Sequence, residues 1–167
     1  MQLLEPSRYQ ALAGEAFASL VEELGPHLPD AQFEHVGASS IPGAISKGDL
    51  DICIVVAPVK HQSIVETLEA LGYVVKTHTL RTPELCMLVS PRQDLDVALQ
   101  VVAQGSQFEF FMHFRDALRA DPILVEQYNE LKRQFASASP ERYRAEKAKF
   151  IEAVLGGANP SAKGHQG

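Results

Sequence analysis

Apolar residues recur along this chain at two different spacings, and the switch between them predicts where helices give way to strands. Tyr9, Leu12, Phe17, Leu20, Val21 and Leu24 return at helical intervals after Ser7, a plausible N-cap, and Gly25-Pro26 ends the pattern. Ala31 to Val36 alternates as a strand does and runs into the small-residue turn Gly37-Ala38-Ser39-Ser40. Asp49 to Val56 is the strongest strand signal, because Ile52, Cys53, Ile54, Val55 and Val56 form the unbroken apolar run of a strand covered on both faces. Pro58 ends it, His61 to Leu71 has helical spacing, and Gly72 supplies a stop, so a strand-helix-strand unit is expected. Tyr73 to Lys76, Leu85 to Val89 and Leu95 to Val102 read as three further strands. Ser106 to Ala120, Pro122 to Phe135 and Pro140 to Leu155 then read as helices, the last two opened by Asp121-Pro122 and Ser139-Pro140 and the last stopped by Gly156-Gly157.

With no internal repeat and no linker, this is an α+β chain: a mixed sheet with an N-terminal helix, a crossover helix and three C-terminal helices. Its 167 residues suit one domain, expected over residues 1–158 with a disordered tail over 159–167. Cys53 and Cys86 each lie in an apolar run and read as core hydrophobes in a reducing compartment. Without a basic leader or a long apolar span, a cytoplasmic protein is expected, with no membrane partner. The net charge of -6 argues against indiscriminate nucleic-acid binding, as does the lack of Trp and of basic residues clustered with aromatics. The charge is uneven: residues 1 to 106 hold 6 Lys/Arg against 13 Asp/Glu, and residues 107 to 167 hold 9 against 8.

Candidate chemistry gathers at the entrance of the apolar strand. Residues two apart on a strand share a face, so Asp49 and Asp51 bring two carboxylates to one hard cation while Leu50 turns into the core. Mg²⁺, or Mn²⁺, suits such a pair because it keeps waters and accepts phosphate oxygens beside one or two carboxylates. Gly37, Ser39 and Ser40 would let backbone N–H groups and hydroxyls approach phosphates. In Asp94-Leu95-Asp96 either acid could join the pair from a neighbouring strand, and Asp96, lying deeper, is preferred as a third ligand or as the group that orients an acceptor hydroxyl. Lys47 either reaches a phosphate or is a solvated loop lysine. Arg115, one turn from Arg119, either faces phosphates or pairs with Glu109 or Asp116. His35 and His113 lack zinc-site spacing and read as hydrogen-bonded structural histidines, while Phe108, Phe110, Phe111 and Phe114 read as helix-to-sheet packing.

A small-residue turn leading into Asp-x-Asp on a buried strand resembles the hG[GS]…Dh[DE]h pattern of the DNA polymerase beta-like nucleotidyltransferase superfamily, with Ala38 in a Ser position and Ser39 supplying the hydroxyl. Within it the chain resembles the GrpB-like family over roughly residues 30–155. The resemblance rests on His35-Val36-Gly37-Ala38-Ser39-Ser40-Ile41-Pro42-Gly43, Lys47, Asp51 and Phe114-Arg115-Asp116-Ala117-Leu118-Arg119, and on Tyr128, Leu131-Lys132, Tyr143, Lys147, Phe150 and Ile151. It implies the nucleotidyltransferase fold and says little about substrate. Asp49 stands where many relatives are apolar, and Asp94 to Gln100 where many are His-rich, so the carboxylate set rests on its chemistry. The expected function is Mg²⁺-dependent transfer of a nucleotidyl group from a nucleoside triphosphate to an unknown small-molecule or protein acceptor. The alternative is a non-catalytic nucleotide- or metabolite-binding module on the same fold.

Overall fold

The computed structural model describes residues 1–156, so the expected tail lies outside the described residues, as does Gly157. Five helices and five strands follow in the order α1 (Pro6–Leu24), β1 (Gln32–Val36), β2 (Leu50–Val56), α2 (His61–Ala70), β3 (Val74–Val75), β4 (Leu85–Val89), β5 (Val97–Ala103), α3 (Phe110–Ala120), α4 (Pro122–Phe135) and α5 (Pro140–Val154). The starts of the last two helices follow from local chemistry. Asp121 accepts from the Ile123 N–H and Ser139 from the Arg142 N–H, each just before a proline already set for a first helical turn. At α1 the start differs from the Ser7 cap expected: Glu5 is the N-cap and Pro6 opens the helix, without a side-chain bond to the cap. Leu12, counted in the apolar stripe, points outward.

The sheet order is β1-β2-β5-β4-β3. β2 is antiparallel to β1 and parallel to β5, and β4 is antiparallel to both β5 and β3. The expected strand-helix-strand unit is present as β2-α2-β3, but its two strands are not neighbours: the parallel partner of β2 is β5, while β3 lies at the far edge. There β3 keeps only two residues, because Val74 faces solvent and pairs on one side alone. All seven residues of β2 are buried, as its apolar run requires.

Side-chain alternation gives the sheet two covered faces. On one, Leu50, Ile52, Ile54 and Val56 pack with Cys86, Leu99 and Val101 under α1 and α2. On the other, Val36, Cys53, Val55, Met87 and Val102 pack under α3, α4 and α5, with Phe108, Phe110, Phe111 and Phe114 filling the layer. Cys53 and Cys86 therefore lie on opposite faces, both as free buried thiols. Among the described residues no helix is long and apolar enough to cross a membrane.

Candidate functional site

The register of β2 on β5 decides which acids can meet. Val36 of β1 and Ala98 of β5 both lie opposite Asp51, and the Leu50 N–H donates to the Asp96 carbonyl at 2.9 Å, so Asp49 and Asp96 enter the two strands side by side. Asp51 shares the face of Cys53 and Val55, beneath α4 and α5. Asp49, Asp51 and Asp96 line one cleft of about 790 Å³ together with Ser46, Lys47, Lys76, Gln100, Lys132, Tyr143 and Arg144.

Asp96 precedes β5 instead of lying within it and is exposed, because the chain turns through Ser90–Leu95 before pairing begins. Asp94 is held outside by Arg92, whose Nε and Nη2 donate to its two oxygens at 2.8 Å each, and this pairing keeps the Asp94 carboxyl at about 2. No three His, Cys, Asp or Glu side chains among the described residues stand close enough to hold one metal ion. The two acids of β2 and its entrance are thus brought together, with Asp96 at the rim.

The segment carrying Ser46, Lys47 and Asp49 is clamped from two helices. Tyr9 Oη donates to the Ala44 carbonyl at 2.8 Å and Gln10 Nε2 to that of Ile41 at 2.7 Å, both from α1. From α4, Asn129 Nδ2 donates to the Gly43 carbonyl at 2.9 Å while its Oδ1 accepts from the Ile45 N–H at 2.9 Å. Lys132 Nζ donates to the Ile45 carbonyl at 2.8 Å, and Leu4 bridges Ser46 through two backbone bonds. A loop without regular structure thereby has its buried carbonyls satisfied, which fixes the approach of Asp49. Ser46 Oγ then donates to Asp49 Oδ1 at 3.1 Å.

Asp51 is 4 % exposed. Burial foremost, and the neighbouring Asp49 charge next, push its carboxyl well above the usual range, against the opposing pull of Lys147, Gln100 and Lys47. Two cations are buried with it. Lys132 lies over the Tyr128 ring at 4.3 Å, and burial, then Lys147, lower its amine to about 7. Burial also lowers Lys147, while Asp51 and Asp49 act in the opposite direction. Both lysines occupy the inward stripes of their helices, four residues after Tyr128 and Tyr143. A lysine at the core register of an amphipathic helix is the signal that marks them in the sequence; Gln100, inside an apolar strand, carries a similar one.

The Gly37–Ser40 turn sits otherwise than expected. Gly37 has φ 73° and ψ -178°, a region open to glycine alone, and a Cβ there would collide with Asp51 Oδ2. The Ser40 hydroxyl donates to the Gly37 carbonyl at 2.6 Å, and Ser39 Oγ meets His35 Nε2 at 2.8 Å. Both hydroxyls are buried and neither serine lines the cleft, so the turn packs against the acid instead of opening to a ligand. Arg119 Nε donates to the Ser40 carbonyl at 2.8 Å. Arg115 is also a structural group here: Nη1 donates to Glu34 at 2.7 Å and to the His35 carbonyl at 3.0 Å, and Nε to Asp116 at 2.9 Å. It does not line the cleft, and Glu109 accepts from the Gly105 N–H instead of pairing with it.

His35 stacks on Phe17 with ring centroids 5.0 Å apart, and burial first, then Arg119 and Arg115, lower its pKa to about 4. Unfolded, an imidazole titrates near ~6.5, so between the two values the unfolded chain holds the extra proton and stability falls as pH drops through that window. Urea unfolding at about pH 7.5 and about pH 5 should show His35→Gln losing less stability on acidification than the wild type. An equal loss in both would remove His35 as the source.

Comparisons with known proteins bear on the family and the fold. The family model described as GrpB protein matches residues 6–156. A UPF0157 protein of Vibrio cholerae is 50% identical over 156 residues, covering 93% of this chain and 82% of its own length. The crystal structure of the conserved protein GrpB from Enterococcus faecalis superposes with a TM-score of 0.72 at 21% identity, over 93% of this chain and 98% of that one. The Cid1 poly(U) polymerase, solved with Mg 3'-dATP bound, superposes with a TM-score of 0.56 at 16% identity, over 83% of this chain and 48% of the polymerase. That likeness concerns the fold. The chain belongs to the GrpB family and has the fold of the polymerase beta-like nucleotidyltransferases.

Proposed function

We propose that the protein is a Mg²⁺-dependent nucleotidyltransferase, moving a nucleotidyl group from a nucleoside triphosphate to a small-molecule or protein acceptor at the Asp49/Asp51 cleft. The observation that carries this reading is the charge of the cleft. In a chain of net charge -6, its lining sets Lys47, Lys76, Lys132 and Arg144 against Asp49, Asp51 and Asp96, so the concave surface favours a polyanion that the rest of the surface repels.

The donor set suits Mg²⁺ or Mn²⁺. Asp49 and Asp51 offer hard carboxylate oxygens, and the Asp51 carboxyl, raised by burial first and by the Asp49 charge second, is one whose ionised form a bound cation would stabilise. When bound, the metal supplies positive charge to the triphosphate and to the departing pyrophosphate. The chain's own residues do the rest. Lys47 adds positive charge along the phosphates, Lys132 holds the loop through the Ile45 carbonyl, and Ser46 holds Asp49 in place. Asp96, at the rim, accepts the proton of the acceptor hydroxyl or amine as that atom bonds to the α-phosphorus and the bond to pyrophosphate breaks. Gly37 sets the position of Asp51 by close backbone contact. Ser39, Ser40 and Arg115, turned inward, support the turn and α3 instead of the phosphates.

The test is turnover. Incubated with Mg²⁺, an α-labelled nucleoside triphosphate and a deproteinised small-molecule extract, the protein should release pyrophosphate and pass the label to an acceptor. The separation of Asp96 from a closed three-acid cluster favours the second reading, a binding module. Metal-dependent binding without pyrophosphate release across extract and protein acceptors decides for that module.

A further inference from the structure

Gln100 is the one polar side chain that points inward in the middle of β5, between the buried Leu99 and Val101. It is 2 % exposed and lines the cleft. Its Nε2 stands 3.4 Å from Asp51 Oδ1, and its Oε1, buried, has no hydrogen-bond partner. An orphaned buried amide oxygen carries a desolvation cost that an apolar residue of similar size would not incur. Such a group is explained when a bound species completes it.

We propose that Gln100 Oε1 is the third protein oxygen of the divalent-cation site built on Asp49 and Asp51, an inference that rests on the metal-dependent reading above. Three features of the geometry lead there. In the parallel register Gln100 lies diagonal to Asp51 on the same face, on the far side from Asp96. The third oxygen does not come from an acid, since no three acidic or histidine side chains among the described residues converge. The amide stands at the right distance: octahedral ligands about 2.1 Å from Mg²⁺ place neighbouring oxygens roughly 3.0 Å apart, close to the present separation of the Gln100 amide from Asp51. Without metal, the amide turns its nitrogen to the carboxylate as a donor. With metal, the two ends exchange by rotation about χ3, a soft torsion, and Oε1 joins Asp51 on the cation. Asp96 is then left free for the acceptor.

Mn²⁺ binding, read from the loss of the free-ion paramagnetic resonance signal, tests this without any turnover. Gln100→Met keeps the volume and removes the oxygen, and should weaken Mn²⁺ at least about tenfold. Gln100→Glu restores an oxygen and should bind as tightly as wild type or tighter; Asp96→Asn should lose less than Gln100→Met. Melting curves establish that each variant is folded. Wild-type affinity in a folded Gln100→Met overturns the assignment of Gln100 and leaves the Asp49/Asp51 site standing. A wild type that takes up no Mn²⁺ overturns both.

Discussion

Replacing Gly37 by alanine should cost about 2–6 kcal/mol of stability, a large part of what a domain of this size possesses. Two separate penalties add. The backbone at φ 73° and ψ -178° penalises any side chain by about 1–3 kcal/mol. The new methyl also meets the Asp51 carboxylate, which cannot retreat because its strand is paired on both sides, to β1 and to β5. Denaturant unfolding of Gly37→Ala, Asp51→Ala and the double variant separates the two. The clash should vanish in the double variant, giving a coupling of about 1–3 kcal/mol, while the backbone penalty persists. Additive single effects would mean that the turn and the acid do not press on each other.

Asp51→Asn should move stability and binding in opposite directions. The raised carboxyl means that the folded state disfavours the ionised form, so stability is greatest below the unfolded carboxylate value near ~4 and is lost as pH rises through the higher folded value. Asparagine removes this loss, and the variant should be at least as stable as wild type at neutral pH. Metal-dependent nucleotide binding should fall by at least about tenfold, because one of two anionic ligands is gone. A gain in stability accompanied by loss of binding is the mark of a residue kept for its ligand. Reduced stability with binding unchanged would make Asp51 a structural acid.

Much of this was legible in the chain. The apolar run of β2 marked a strand covered on both faces, and Asp121-Pro122 and Ser139-Pro140 marked two helix starts, because each signal is local. The nearness of Asp49 and Asp51 was legible from their spacing at the start of the strand, although Asp49 precedes β2 and is held by the clamped loop. What depended on distant partners was not. Arg115 finds Glu34 across 81 residues, and that bond holds it away from the cleft lining. The small residues of Gly37–Ser40 fit both an anion cradle and a packed turn, and only the positions of His35, Arg119 and Asp51 decide for the turn. The place of β5 between β2 and β4 brought Gln100 to the acid pair, and α4 and α5 brought Lys132 and Lys147 to it. No period in the sequence contains that meeting.

The most direct measurement is calorimetric titration of ATP, GTP, CTP and UTP into the wild-type protein, with Mg²⁺ and again with the metal chelated. At least one nucleotide should bind with Mg²⁺ and lose at least about tenfold in affinity without it. Binding that ignores the metal, or no binding by any of the four, would contradict a divalent-cation nucleotide site at Asp49 and Asp51.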